Sequence, residues 1–283
     1  MAVPKKAAER IAQQFKKYQA ILVDAKDRDI SESDTVVIIV DMLAELLGYR
    51  KYTEITTEFA IRGTYVDLAV RVDNEIRFLI EAKAVGVSLR ENHLKQAVDY
   101  AANQGIEWVI LSNGVTWQVY KVHFKQPIER SLVFDLDMLL AIPKDPKVVE
   151  CLGNLSREGF TRSSMAAYFQ QQQITNKFSL AAILLSDGMV GALRREIRRL
   201  DGSIRVDEGS LRAALESEVF KRDVVSGEEA KQASDFLKKL ARAAMKAKAR
   251  VTQGTPPQQL GDFVGVEPDA LGRASPVDQG VGE

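Results

Sequence analysis

Residues 64–100 read TYVDLAVRVDNEIRFLIEAKAVGVSLRENHLKQAVDY, and the fold follows from how this stretch is read. Two runs of alternating apolar residues, Tyr65–Val72 and Ile76–Ala84, flank Asp73-Asn74. Period-two alternation on either side of an Asp-Asn pair specifies a β-hairpin. Asp67 lies on the first strand. Glu81 and Lys83 lie two apart on the second and so share one of its faces. Pairing around the turn carries Asp67 to the Glu81–Lys83 end, where two carboxylates and an ammonium converge at one edge of a sheet. A helix follows: Ser88 and Glu91 have capping-box spacing, Gly105 suits a C′ residue, and Gln96 and Tyr100 share a face at i, i+4.

An acidic residue two before a lysine is common in itself. The chain has four such triplets: Asp24-Ala25-Lys26, Glu81-Ala82-Lys83, Asp145-Pro146-Lys147 and Glu229-Ala230-Lys231. The first and last fall in helical patterns, and Pro146 splits the third. Only Glu81-Ala82-Lys83 sits on a strand that follows a hairpin carrying a further acid. Charges in a run such as Phe78–Ala84 are costly unless paired or bound to metal, so this set calls for a chemical role.

Asp67, Glu81-x-Lys83 and the Gln96-x-x-x-Tyr100 helix resemble the PD-(D/E)xK nuclease superfamily, and specifically the N-terminal nuclease domain of type I restriction enzyme R subunits. That domain also opens with a helix that carries a Glu and ends in Leu-Gly-aromatic before a strand. Here Ser31-Glu32-Ser33-Asp34 opens the helix and Leu47-Gly48-Tyr49 closes it. The resemblance covers roughly residues 30 to 125. Val66, rather than Pro, precedes the Asp. The resemblance implies an α/β fold, with a restriction-endonuclease-like mixed β-sheet flanked by helices. It also implies catalysis by Asp67, Glu81, Lys83, Gln96 and Tyr100, and Mg²⁺ or Mn²⁺ held by Asp67, Glu81 and Glu32. Gln96 and Tyr100 resemble helix residues that steady the lysine or contact phosphate in related nucleases.

Composition bounds the remaining possibilities. The 283 residues are 46% hydrophobic and 28% charged, with zero formal net charge, as in ordinary globular proteins. Bulk charge therefore does not announce a nucleic-acid binder, and any basic surface must be local. One cysteine, Cys151, and two histidines, His93 and His123, exclude a Cys/His zinc site and a disulfide framework. A metal site here would be oxygen-rich, which favours Mg²⁺ or Mn²⁺. The N-terminus lacks an apolar signal core, and the best apolar run, Ser179–Leu193, is interrupted by Asp187. A cytoplasmic protein with no membrane contact is the expectation.

Taken in order, residues 5–27 predict a helix with Ile11, Phe15, Tyr18 and Leu22 on one stripe. Ser31 and Asp34 cap a second helix over Val36–Leu47, ended by Gly48. Glu32 sits in its first turn, where an acid also complements the helix dipole, so both roles stay open; Glu45 on the same helix is the alternative acid. Strands are expected over Tyr52–Ile61, the hairpin, Glu107–Ser112 and Thr116–Phe124, with a turn at Asn113-Gly114 and a short helix over Asp135–Ala141. Domains are expected at 1–142 (nuclease-like), 147–250 (helical) and 251–283 (tail). Helices in the second are expected over Val148–Leu155, Met165–Gln173, Lys177–Leu200, Leu211–Phe220 and Glu228–Arg250. Arg194, Arg195, Arg198 and Arg199 form a cluster that reads as a solvated face or as a phosphate-tracking surface. From Thr252 onward Gly, Pro, Gln and Asp prevail, and Asp262, Glu267, Asp269, Asp278 and Glu283 outweigh Arg273. This composition predicts a disordered acidic tail.

The sequence contains no G-x-x-x-x-G-K-[ST] loop. In type I restriction enzymes the resembling nuclease is fused to an ATP-driven translocase. The expectation is a stand-alone relative without that motor: a metal-dependent DNA endonuclease in defence against foreign DNA, drawing on restriction-modification or motor subunits for any ATP or sequence dependence. The alternative is a catalytically inactive module of the same fold that binds nucleic acid or a protein partner.

Overall fold

A computed structural model describes residues 3–61 and 64–252. The expected tail at 251–283 falls almost wholly outside the described residues. The chain divides into one compact unit, Met1–Ala233, and a second, Ser234–Glu283.

The described residues form a six-stranded mixed sheet: β1 Ile55–Ile61, β2 Thr64–Val72, β3 Glu75–Ala82, β4 Trp108–Ser112, β5 Thr116–His123 and β6 Glu129–Asp137. Spatial order equals sequence order, and every neighbouring pair is antiparallel except β3/β4. Parallel neighbours need a crossover, and α3 (Lys95–Gln104) supplies it. Asp73 and Asn74 both adopt positive φ, +53° and +64°, as a two-residue type I′ hairpin turn requires. Gly105 ends α3 at φ +70°.

Both faces of the sheet are covered. On one, Ala97, Val98 and Ala101 of α3 pack on Leu79, Val109 and Leu111. On the other lie α1 (Lys5–Asp27), α2 (Glu32–Asp41, continued by a π-helical turn, Met42–Leu46), α4 (Pro146–Leu155), α5 (Arg157–Thr161) and α6 (Ser164–Thr175). Their Phe15, Leu22, Ile39, Leu43, Leu152 and Phe160 share one core with Leu68, Phe78, Ile80 and Trp117. That core runs without a break past residue 147 through Tyr168. Doubly covered central strands should be apolar on both faces, and all five residues of β4 are buried. Helices α7 (Lys177–Leu184), α8 (Asp187–Leu200), α9 (Glu208–Ala214), α10 (Arg222–Val225) and α11 (Glu228–Thr252) follow.

Four expectations are corrected. Asp135–Ala141 is not a helix: its first residues complete β6, which pairs with β5 from Thr116↔Asp137 to His123↔Glu129. The spacing of Leu136, Leu139 and Leu140 mimics a helix, but the free β5 edge offers ladder hydrogen bonds that a helix there would leave unmade. The expected helix over Lys177–Leu200 is two helices, parted at Leu185-Ser186. Ser88 caps nothing; α3 is entered through a 3₁₀ turn, Glu91–Leu94. The first strand starts at Ile55, after a turn that leaves Tyr52 exposed.

Arg10 ties three elements together. Its guanidinium donates to the Leu46 and Leu47 carbonyls (3.1 and 2.9 Å) at the end of α2 and to both Glu158 oxygens (2.8 and 2.7 Å) on α5. Gly48 has φ +84°, and a Cβ there would come within 2.4 Å of that guanidinium, which explains glycine in Leu47-Gly48-Tyr49. Tyr49 follows, buried, its hydroxyl donating to the Leu155 carbonyl at 2.8 Å. Gly48→Ala should cost roughly 1–3 kcal/mol, the usual penalty for a side chain held at positive φ, measured by chemical denaturation. Wild-type stability would show that Arg10 and the backbone move aside at no cost. A second test uses pH. The Arg10 hydrogen bonds hold the Glu158 carboxyl below its usual range. A depressed folded value contributes stability above the unfolded carboxylate range, and the contribution is lost as pH falls through the folded value. The stability difference between wild type and Glu158→Gln should therefore be largest near neutral pH and shrink below roughly pH 4.3. A difference that does not change between pH 7 and pH 3 would contradict this pairing.

Candidate active site

The β2/β3 ladder runs from Val72↔Glu75 to Leu68↔Ile80 and then stops. The pattern places Asp67 near the Glu81–Lys83 end, and a register shift between Val70 and Arg71 sets it opposite Glu81, just beyond the ladder. As the strands part, the Ala82 N–H loses its backbone partner. The Asp67 carboxylate takes it, accepting at 2.7 Å. On its other side β3 stays paired with β4 through Ala82↔Ser112, and the Lys83 N–H donates to the Ser112 carbonyl at 2.9 Å. Asp67, Glu81 and Lys83 thus sit where a paired sheet opens at the carboxyl end of its parallel strand.

Lys83 Nζ is surrounded by oxygens. It donates to Glu81 Oε1 (2.9 Å) and the Ala82 carbonyl (2.6 Å), and lies 3.5 Å from Glu32 Oε1. Glu81 and Lys83 are both less than a fifth exposed, whereas Glu32 is about half exposed. Burial raises the Asp67 carboxyl above its usual range against the Ala82 N–H and the Lys83 charge. It raises Glu81 too, with Asp67 adding to the effect. For Lys83, burial pulls downward, but the Glu81 hydrogen bond and the charges of Glu81, Glu32 and Asp67 together hold the ammonium above its ordinary value. The cluster is a pair of partly desolvated carboxylates balanced by one cation.

The surrounding residues hold these groups in place. Gln96 Nε2 donates to the Tyr65 carbonyl at 3.2 Å, pinning β2 two residues before Asp67. The Tyr100 ring meets Phe59 of β1 edge-on, centroids 6.3 Å apart. Two positioning residues carried no signal in the hairpin pattern. Buried Thr35 accepts from the Val85 N–H (3.1 Å) and donates to the Ser31 carbonyl (2.8 Å), joining the start of α2, and so Glu32, to the chain just after Lys83. Asn113 donates to the Val85 and Val87 carbonyls (3.3 and 3.0 Å) and accepts from the Thr116 N–H (2.7 Å). Its side chain is a clamp as well as a turn residue. A buried Asn at a turn is the one hint that such a clamp exists. Glu45 is held by Lys17 and the Tyr18 hydroxyl, among different neighbours from Glu32.

The segment that carries most of these groups is similar to a known family. Residues 38–132 match the type I restriction enzyme R protein N terminus. The matched span is about a third of the chain and contains Asp67, Glu81, Lys83, Gln96 and Tyr100; Glu32 lies just ahead of it. No curated protein and no solved structure matches the chain. The R-protein match supports a nuclease-like domain around this sheet opening, and no helix among the described residues is long and apolar enough to cross a membrane.

The donor set suits a hard cation: Asp67, Glu81 and the Ala82 carbonyl are all oxygens. Among the described residues no three His, Cys, Asp or Glu side chains form a ready-made metal cage, so the carbonyl and waters would have to complete the coordination. Of the arginine cluster on α8, Arg199 donates to Glu196 through Nε and Nη2 (2.6–3.1 Å) and Arg194 meets Glu208 (3.2 Å), while Arg195 and Arg198 are exposed.

Asp67→Asn keeps an acceptor for the Ala82 N–H and removes a charge that burial disfavours. With a chelator present its melting temperature should equal or exceed that of wild type. A drop of several degrees would mean that the carboxylate charge itself stabilises the fold.

Proposed function

We propose that this protein is a metal-dependent nuclease that hydrolyses DNA phosphodiester bonds, acting in defence against foreign DNA. The observation that carries this reading is the convergence of Asp67, Glu81 and Lys83 at the sheet opening, inside the segment that matches restriction R-protein N termini. Asp67, Glu81 and the Ala82 carbonyl would hold Mg²⁺ or Mn²⁺, with Glu32 at the rim for a second ion. A divalent cation there supplies charge neutralisation on the phosphate and a more acidic water.

The chain's own groups have distinct tasks. The Ala82 N–H fixes the Asp67 carboxylate, so its free oxygen is aimed before substrate arrives. Glu81 is oriented by the Lys83 ammonium, which shares the space a bound cation would claim. With a cation bound there, Lys83 Nζ would face the substrate, where its three N–H donors would stabilise charge on a phosphate oxygen and on the attacking water as it loses its proton. Gln96 holds β2, and with it Asp67, at the working distance. DNA is the expected partner, and restriction-modification or motor subunits are expected to supply any sequence or ATP dependence.

Plasmid and linear DNA incubated with Mg²⁺ or Mn²⁺ test the reading. Wild type should cut, and EDTA should stop it. Lys83→Ala should lose a factor of roughly a hundred or more in rate, the scale of one lost electrostatic stabiliser, while remaining folded and binding DNA. Lys83→Arg should restore little, because a planar fork does not replace a compact ammonium. A wild-type protein that binds nucleic acid yet cuts none would make it a binding module. Unimpaired cutting by Lys83→Ala would move the active site elsewhere.

A further inference from the structure

Away from the sheet opening, the chain leaves α8 at Leu200 and turns back through 201–206 into α9. The turn and the last two turns of α8 border a wide-open surface hollow of about 590 Å³. Three arginines line it: Arg194 and Arg198, one helical turn apart on α8, and Arg205 from the returning loop, with Ile204 and Asp207 beside them.

Two of the acids close by are hydrogen-bonded to serines. Asp207 caps α9, its two oxygens accepting the Ser210 N–H (2.9 Å) and hydroxyl (2.6 Å). Asp201 accepts from the Ser203 N–H (2.8 Å) and hydroxyl (2.6 Å). Glu208 meets an Arg194 terminal nitrogen at 3.2 Å, and the Arg194 Nε is buried with no partner among the described residues. The Arg198 and Arg205 guanidinium groups make neither an ion pair nor a hydrogen bond among the described residues. Arg199, on the next face of the helix, is by contrast locked to Glu196.

We propose that this hollow binds a phosphate group through Arg194, Arg198 and Arg205. Like charges gathered around one concavity repel until an anion enters. Guanidinium forks present paired donors that match the oxygens of a tetrahedral oxyanion, and a compact phosphate fits among three of them. The phosphate can be a phosphodiester of a nucleic-acid backbone or free inorganic phosphate. As a backbone anchor the site rests on the nuclease reading and gives the strand to be cut a second point of attachment. Arg205, outside the α8 cluster in sequence, is then part of the anchor, and Arg199 is not.

The test compares full-length wild type with the Arg198→Gln/Arg205→Gln double variant and with Arg199→Gln. Binding of a fluorescent oligonucleotide is followed against salt in EDTA, and inorganic phosphate is titrated in a thermal-shift assay. For a backbone site, the double variant should bind several-fold more weakly, and its slope of log K against log salt should fall by about 0.9 for each DNA phosphate that is no longer neutralised. Arg199→Gln should match wild type. For a free-phosphate site, inorganic phosphate should raise the melting temperature of wild type and not of the double variant, with oligonucleotide binding unchanged. A folded double variant that matches wild type in both assays overturns the proposal. Active cutting with unchanged binding and no phosphate response would overturn this site alone. Absent cutting with weakened binding in the double variant would overturn the nuclease reading and leave this site standing.

Discussion

The parallel pairing of β3 with β4 constrains most of what surrounds it. Two adjacent parallel strands cannot be joined by a tight turn, so the chain must leave the sheet and return across one face. Helix α3 makes that crossing, and its small residues Ala97 and Ala101 let it lie close over Leu79 and Val109. The opposite face is then free for α1, α2 and α4–α6, which bury it in one continuous core. Parallel strands also place their carboxyl ends together, the customary location of sites in open α/β sheets. Glu81 and Lys83 stand at such an end, and the loop that follows leads into the helix whose Gln96 holds the facing strand.

The end of the β2/β3 ladder gathers charged groups at that location. A parting pair of strands leaves an amide without a partner, and an unpaired buried amide is costly. Asp67 meets that need and is fixed by doing so. The same burial that fixes it disfavours its charge and that of Glu81, while Lys83 offsets the cost with a single ammonium. A cluster of this kind does little for stability, because its desolvation offsets much of its attraction. What it holds in place is a set of oxygens around one ammonium.

Charge elsewhere is also a matter of local placement. A chain with zero net charge has no long-range pull on a polyanion, so its approach to one depends on where individual cations stand. Pairing separates arginines that look equivalent in sequence: Arg199 pairs with Glu196 and Arg194 with Glu208, while Arg198 and Arg205 beside α9 have no ion-pair partner among the described residues. A count of basic residues along α8 does not distinguish these cases.

The hairpin was legible in the residues alone. Period-two alternation and a two-residue Asp73-Asn74 turn bring Asp67 near the Glu81–Lys83 end, but the turn's own register would set it against Ile80; a one-residue shift at Val70/Arg71, invisible in the pattern, turns it to the face of Glu81. The helices at 5–27 and 95–104 and the strands at 108–112 and 116–123 were legible too, because each carries its signal (apolar stripe, Gly105 terminus with the Gln96/Tyr100 spacing, continuous apolar run, turn-bounded strand) within one local segment. β6 was not, since Leu136, Leu139 and Leu140 fit a helical spacing and only the open edge of β5 decides for a strand. Glu32 was a candidate from sequence, but its approach to Lys83 depends on Thr35 holding α2 to the segment after β3, fifty residues away along the chain. Asn113 as a clamp, Arg10 as a tie across Gly48 and Arg205 as a neighbour of Arg194 likewise join distant segments. Local periodicity records which face of an element is apolar; which elements bury those faces against one another is settled only by the packing of the whole chain, and that packing brings the remaining site residues together.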